Sequence, residues 1–114
     1  MMVTNAFAEE VIGSWCDRAV PTMPELDYVM TISRTDDGKF RLHSKRQDGS
    51  SGYTDLEEIN SRYYRNPASS TGDNYRIDPG EGELILADNY GVIRTALPIS
   101  GSDEIKTCLK GLRP

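Results

Sequence analysis

Short segments in which apolar and polar side chains alternate run through most of the chain, separated by turns rich in glycine and aspartate. The clearest is segment 26–34, where Tyr28, Met30 and Ile32 share one phase of the alternation. Because a strand points successive side chains to opposite faces, this period of two is typical of a half-buried strand. The same criterion predicts eight strands, at residues 11–18, 26–34, 39–46, 53–58, 62–66, 74–78, 83–88 and 92–97.

Asp-Gly pairs mark tight turns between these segments. Asp37-Gly38 and Asp48-Gly49 separate the second, third and fourth strands, and Asp-Gly favours hairpin turns because both residues tolerate positive φ values. Eight regularly spaced antiparallel strands can close completely, which removes exposed sheet edges. The sequence therefore predicts an all-β fold, a small antiparallel eight-stranded barrel with a short N-terminal turn and a short C-terminal helix. Five side chains are expected to point into the barrel: Met30, Phe40, Leu42, Ile77 and Leu84.

The C-terminal segment has the pattern of a helix. Ser102 is the predicted N-cap, and Gly111 is the residue expected to end the helix. Ile105, Cys108 and Leu109 have the i, i+3, i+4 spacing of one helical face. That face would present Cys108 to the barrel.

The two cysteines bracket the predicted barrel, Cys16 in the first strand and Cys108 in the helix. We expect them to form a disulfide. Disulfides persist in oxidising compartments, so this pairing favours a periplasmic or secreted protein. The alternative is a pair of free, buried thiols in a cytosolic protein.

The length of 114 residues is typical of one domain, and residues 9–114 are predicted to form a single barrel domain. Residues 6–8 have the A-x-A form of a signal-peptidase site. Segment 1–8 is therefore interpreted as a remnant of a signal peptide or of an expression vector. The alternative is an ordinary first helical turn with Thr4 or Asn5 as its N-cap.

Charge and hydrophobicity exclude two classes of partner. The formal net charge is -5, whereas nucleic-acid binding normally needs a basic surface. No stretch approaches the roughly 18 apolar residues of a transmembrane helix. The sequence therefore predicts no nucleic-acid partner and no membrane span.

The chain offers few groups for catalysis or metal binding. Its one histidine, His43, falls on the predicted solvent face of a strand, between Arg41 and Lys45. No G-x-S-x-G nucleophile elbow surrounds any serine. One histidine and two distant cysteines do not give a zinc-binding spacing. We therefore expect no catalytic residues, no metal and no cofactor.

Tyrosines are better candidates for binding. The chain has six tyrosines against two phenylalanines, and tyrosine combines an apolar ring with a polar tip that suits interfaces. Tyr63, Tyr64 and Tyr75 flank the loop 67–73, and loops on a rigid scaffold are where binding residues concentrate. These three are the candidate ligand- or partner-binding residues. The alternative is that they are half-buried strand residues of the kind common in small β domains.

A short motif in the first strand resembles a known family. Gly13-Ser14-Trp15 is similar to the G-x-W motif of lipocalins and related calycin barrels, and segment 83–91 resembles small bacterial lipocalin-like domains. In that family the tryptophan closes one barrel end and an arginine of the last strand packs across its ring. The resemblance implies that Trp15 is buried and that Arg94 lies against it in a cation–π contact.

Two main functions are expected. The first is non-catalytic binding of a small apolar or amphipathic ligand at the barrel mouth, in the bacterial envelope. The second is a protein-binding inhibitor or immunity factor that uses the loops and exposed tyrosines; small exported barrels that inhibit bacterial lysozymes have a similar size. A structural module of an envelope assembly is a third. A wide apolar mouth would favour the first function, and a filled barrel with exposed tyrosines the second.

Overall fold

The computed structural model describes residues 9–17 and 28–112, which form a closed antiparallel β-barrel and one helix. Each strand pairs with its neighbours in chain order, and β1 also pairs with β8. The elements are β1 (Glu10–Asp17), β2 (Val29–Arg34), β3 (Phe40–Lys45), β4 (Ser51–Asn60), β5 (Tyr63–Arg65), β6 (Asn74–Ile77), β7 (Leu84–Asp88), β8 (Gly91–Ile99) and α1 (Gly101–Leu109). The predicted eight-stranded barrel and C-terminal helix are confirmed. The predicted N-terminal turn and the two interpretations of segment 1–8 lie outside the described residues.

The two predicted Asp-Gly hairpins are present. Gly38 has a φ of 84° and Gly49 a φ of 88°, values that L-residues with side chains rarely adopt. The Gly38 N–H donates to the carbonyl of Thr35, and the Gly49 N–H donates to the carbonyl of Arg46. These turns set the register in which β2, β3 and β4 pair.

The barrel interior is filled by side chains. Met30, Leu42 and Leu84 are buried there as expected, and Phe40 and Ile77 pack against them at partial exposure. The buried cluster consists of Trp15, Met30, Ile32, Leu42, Leu56, Tyr64, Leu84, Leu86 and Ala96. A barrel of eight strands is just wide enough to be filled in this way.

Trp15 closes one end of the barrel. Its side chain is 3% exposed, and its Nε1–H donates to the carbonyl of Gly82, in the β6–β7 turn, at 2.7 Å. Gly13 lies two residues earlier on the same face, where a Cβ would be 2.7 Å from Cη2 of the ring. The missing side chain at Gly13 therefore makes room for the ring, and the predicted burial of Trp15 is confirmed.

Helix α1 packs on the outside of the barrel, where Cys108 forms a disulfide with Cys16 of β1. The predicted disulfide is confirmed. A second buried cluster surrounds it, consisting of Cys16, Tyr28, Val29, Ile99 and Cys108, with Ile105 and Leu109 at its edge. No helix of the described residues is long and apolar enough to cross a membrane.

The helix begins earlier than predicted. Its N-cap is Ser100, not Ser102, and the Ser100 side chain makes no capping hydrogen bond. Instead, the Ser100 N–H donates to Oε1 of Glu104 at 2.7 Å. Glu104 thus satisfies the N–H of the N-cap residue itself, whereas a capping hydroxyl would accept from the second or third helical residue. Gly111 ends the helix as predicted, with a φ of 82°.

Candidate binding site at the barrel mouth

The barrel end opposite Trp15 carries the turns 46–50, 66–73 and 88–91, and we name it the mouth. A cavity of about 210 Å³ opens there. It is lined by Met30, Leu42, Asp73, Asn74, Tyr75, Leu86, Ala87, Ile93 and Arg94. Met30, Leu42 and Leu86 belong to the buried cluster of the barrel and form an apolar floor. The polar side chains among the lining residues come from β6, its preceding loop and β8.

The loop before β6 is held against the β7–β8 turn. The Asn66 N–H donates to the carbonyl of Asp73, which closes the base of the loop. The Asn89 N–H donates to the carbonyl of Thr71 at 2.9 Å, and a Cβ at Gly72 would overlap the Asn89 side chain. The predicted loop 67–73 is therefore docked on its neighbour, which fixes one wall of the cavity.

An ion pair joins the neighbouring strands β1 and β8 on the inward face. Nε of Arg94 donates to Oδ2 of Asp17 at 2.7 Å, and the carboxylate is 0% exposed while the arginine side chain is 29% exposed. Asp17 follows Trp15 by two residues on the inward face of β1. The Arg94 guanidinium thus pairs with Asp17, and not with the Trp15 ring as the family resemblance implied.

Strand register explains the choice of partner. Trp15 lies opposite Pro98 in β8, whereas Asp17 lies opposite Ala96. Arg94 is therefore four residues from the level of Trp15, roughly 13 Å along the strand at about 3.3 Å per residue. Asp17 lies between them and offers a charge-assisted hydrogen bond. An acidic residue two positions after Trp15 was the available sequence signal for this pair.

Asn74, at the start of β6, carries a buried acceptor without a partner among the described residues. Its side chain is 8% exposed, and its Nδ2 donates to the carbonyl of Gly72 at 3.0 Å. Oδ1 has no hydrogen-bond partner. Buried polar atoms are usually paired, since leaving one unpaired costs about 1–3 kcal/mol. Strand register pairs Asn74 with Arg65 and Ala87, on the face opposite Tyr75 and Leu86, so this acceptor does not face the barrel interior.

The three candidate tyrosines do not share a surface. Tyr64 and Tyr75 are direct cross-strand partners on the inward face, whereas Tyr63 lies on the outer face. Tyr64 is buried with its ring centroid 5.1 Å from that of Phe40, so a partner cannot reach it. Burial raises the pKa of Tyr64, and the negative charge of Glu58 acts in the same direction. Tyr75 is half-buried and lines the mouth cavity.

Tyr63 borders a different depression. The guanidinium of Arg76 lies over its ring, 4.9 Å from the centroid. A surface groove of about 560 Å³ runs beside these residues and continues past Asp78 and Ile85. Tyr63 and Tyr75 therefore belong to separate sites, one on the barrel wall and one at the mouth.

His43 lies on the outer face of β3, as predicted, and stacks on Tyr53 of β4 with ring centroids 4.5 Å apart. The guanidinium of Arg41 lies 5.0 Å from the Tyr53 centroid. Burial lowers the pKa of His43, and the positive charge of Lys45 acts in the same direction. The stack covers part of the wall between β3 and β4, away from the mouth.

Three exposed apolar side chains lie on the β7–β8 hairpin. Tyr90 is 89% exposed, Val92 67% and Ile93 50%. A register shift in β7–β8 pairing sets Val92 opposite Ala87 and leaves Ile93 outside the ladder. Ile93 also lines the mouth cavity, so the hairpin and the cavity adjoin. Val92 and Ile93 are not among the binding residues predicted from the sequence.

No protein-family model, no curated protein and no solved structure matches the chain. Among residues 9–17 and 28–112, no three His, Cys, Asp or Glu side chains are grouped so as to hold a metal ion. The function is therefore inferred from the chemistry of the mouth.

Proposed function

We propose that the protein is a non-catalytic binding protein that takes a small apolar or amphipathic molecule at the barrel mouth. One observation carries the proposal. In a barrel that is otherwise filled, a cavity of about 210 Å³ remains at the mouth, with a floor formed by Met30, Leu42 and Leu86. Small-molecule sites are typically apolar concavities with a few placed polar groups. Arg94 and Asp73, both partly exposed lining residues, supply such groups at this cavity.

The filled interior limits the ligand to a small one. Typical drug-sized ligands occupy pockets of about 300–1,000 Å³, whereas a dry cavity of about 150 Å³ admits benzene. The volume of the mouth cavity, about 210 Å³, lies between these two values. A ring or branched alkyl group with a compact polar head group is therefore the ligand that fits, and a long acyl chain is not.

We also propose that the protein is a lipocalin-like barrel and that it is periplasmic or secreted. The packing of Trp15 over Gly13 at the closed end supports the lipocalin-like assignment. The Cys16–Cys108 disulfide supports an oxidising compartment.

Native mass spectrometry tests the proposal. Protein isolated without denaturation from its native compartment should carry a small molecule that leaves on unfolding. Leu86, on the inward face of β7 and in the cavity floor, offers a blocking substitution: Leu86→Trp should fill the mouth and abolish the bound mass. Ile85→Trp, on the outer face of the same strand, is the matched control and should retain it. If both variants fold and retain the bound mass equally, the ligand binds elsewhere on the protein.

A protein-binding inhibitor or immunity factor is the second candidate function, and the exposed hairpin favours it. Exposed apolar clusters on small domains often mark interaction sites, and Tyr90, Val92 and Ile93 provide one. Affinity capture from the native compartment with the Tyr90→Ser/Val92→Ser variant tests it. Loss of a captured protein, with an unchanged melting temperature, would support this function. Capture that is unaffected by the substitutions would exclude the hairpin.

A further inference from the structure

The groove beside Tyr63 on the outer wall of the barrel is lined by two arginines, Arg62 in the β4–β5 turn and Arg76 in β6. Neither forms an ion pair with any described residue, whereas four other arginines do: Arg34, Arg41, Arg65 and Arg94. We name this depression the wall groove. We propose that it binds a small phosphate monoester with an apolar group, at a site separate from the mouth.

The contact with Tyr63 prepares the Arg76 guanidinium for an anion. The guanidinium lies over the ring, 4.9 Å from its centroid. A guanidinium carries five N–H donors in its plane, and a ring that it stacks on leaves those donors free. The stack also restricts the side chain, so less conformational freedom is lost when an oxyanion binds.

The turn brings Arg62 next to Arg76. The carbonyl of Arg62 accepts from the Ile77 N–H at 2.9 Å, so Arg62 lies across the strands from the neighbour of Arg76. Long side chains reach such diagonal neighbours. Arg62 has a φ of 73° and is the one described residue other than glycine with a positive φ. Strained residues of this kind cluster at binding sites, which supports a role for the Arg62 side chain.

Two guanidinium groups favour a phosphate monoester over a carboxylate. One bidentate contact occupies both oxygens of a carboxylate, whereas a phosphate monoester has three terminal oxygens and nearly two negative charges at neutral pH. The groove also contains the carboxylate of Asp78, whose Oδ2 accepts the Glu81 N–H at 2.9 Å. Two positive side chains against one negative leave a local positive excess, in a protein whose formal net charge is -5.

The rest of the wall groove accommodates an apolar group. Ile77 and Ile85 are half-buried in its lining, and Pro79 is exposed there. The groove volume of about 560 Å³ lies within the range of about 300–1,000 Å³ for small-molecule sites. The net charge of -5 opposes approach to an anionic membrane surface. The ligand proposed is therefore a free phosphate ester rather than a lipid head group.

Calorimetric titration with phenyl phosphate tests the inference, with benzoate, inorganic phosphate and phenol as comparisons. Phenyl phosphate should bind at least about tenfold more tightly than each, because benzoate lacks the second charge, inorganic phosphate the ring and phenol the anion. Equal binding of benzoate would overturn the selection of phosphate, and no binding of phenyl phosphate would overturn the inference. Sedimentation of the protein with vesicles of phosphatidic acid and phosphatidylcholine, but not with phosphatidylcholine alone, would overturn the choice of a free ligand.

The mouth and the wall groove can be tested separately. Leu86→Trp, which fills the mouth from the inward face of β7, should leave the binding of phenyl phosphate unchanged. Loss of phenyl phosphate binding in this variant would place the anion at the mouth and overturn the wall groove. The mass-spectrometric test of the mouth does not depend on phenyl phosphate, so this inference and the proposed function fail separately.

Substitutions of single arginines assign the contacts. Arg62→Gly removes one guanidinium and relieves the left-handed backbone. It should weaken phenyl phosphate binding about tenfold, whereas the melting temperature should stay the same or rise. Arg76→Gln, beside Tyr63, should weaken binding to a similar extent. Arg65→Gln removes an outer-face arginine that pairs with Glu57 and is the control for net charge. Equal weakening by all three substitutions, or unchanged binding in Arg62→Gly, would overturn the assignment.

Discussion

Gly13 provides the sharpest test of how the closed end of the barrel is packed. In Gly13→Ala, the new Cβ would lie 2.7 Å from Cη2 and 2.8 Å from Cζ2 of Trp15. Carbon atoms in favourable contact are about 3.5–4.0 Å apart. The ring has little room to retreat, because it is buried and its Nε1–H is bonded to the carbonyl of Gly82. The substitution must therefore displace either the indole or the backbone of β1.

The expected cost follows from this overlap. Overpacking a well-filled core costs about 1–3 kcal/mol, and loss of the indole hydrogen bond adds about 1 kcal/mol. Against this, replacing an unstrained glycine by alanine stabilises a protein by about 0.4–1 kcal/mol, through the unfolded chain. We expect Gly13→Ala to lower the free energy of unfolding by about 1–3 kcal/mol, the range for overpacking.

Chemical denaturation under oxidising conditions measures this change, with Gly52→Ala as the control. Gly52 is also a strand glycine, but a Cβ there would meet only Arg46 Nη2, at 4.0 Å. Gly52→Ala should leave stability unchanged or raise it. In a double-mutant cycle, Trp15→Leu should cost less when Gly13 is already alanine. Equal effects of the two glycine substitutions, or a cycle without coupling, would refute the packing argument.

Three further predictions concern stability. Reduction of the Cys16–Cys108 disulfide, which spans a sequence separation of 92, should cost up to about 4.5 kcal/mol in the chain-entropy account; equal denaturation midpoints with and without reductant would contradict this. Asp17→Asn should cost about 2 kcal/mol, below the 3–5 kcal/mol of a fully buried pair because Arg94 is partly exposed; the check is the free energy of unfolding by denaturant. The folded state lowers the pKa of His43, so folding favours the neutral imidazole. The stability that depends on the neutral imidazole is therefore fully present above the unfolded-state pKa of about 6.5, and it is lost as the pH falls below that value. The melting temperature of His43→Gln should therefore fall less between pH 7.5 and pH 5.5 than that of the wild type. Parallel plots of melting temperature against pH for the two proteins would contradict this.

Several features of the fold could be predicted because they depend on local chemistry. Gly38 and Gly49 need positive φ values, which glycine alone adopts freely, so the two hairpins were visible in the sequence. Alternation then placed Met30 and Leu42 inside. The disulfide could be expected because a helical face and the first strand each carried one cysteine. The N-cap was predicted wrongly because Ser102 has a preferred N-cap residue type, whereas the helix begins after Ser100, whose side chain makes no capping hydrogen bond.

The candidate site was harder to predict because it depends on register. Neighbouring residues such as Tyr63 and Tyr64 point to opposite faces of the sheet. Only the pairing with β6 shows which of the two points into the barrel. The bulge in β7–β8 pairing, which exposes Ile93, leaves no mark in the alternation. The unsatisfied Oδ1 of Asn74 is a property of packing alone, since any strand asparagine would look the same in the sequence.

The most direct test of binding at the mouth is a map of amide chemical-shift changes as the protein is titrated with 4-methylpentanamide, a small neutral amphipathic molecule. The account predicts saturable shifts that are largest at the amides of Leu42, Leu86 and Ala87, which line the cavity, and that disappear in Leu86→Trp. Shifts that are largest around Tyr53 on the outer wall, or that persist in Leu86→Trp, would contradict binding at the mouth.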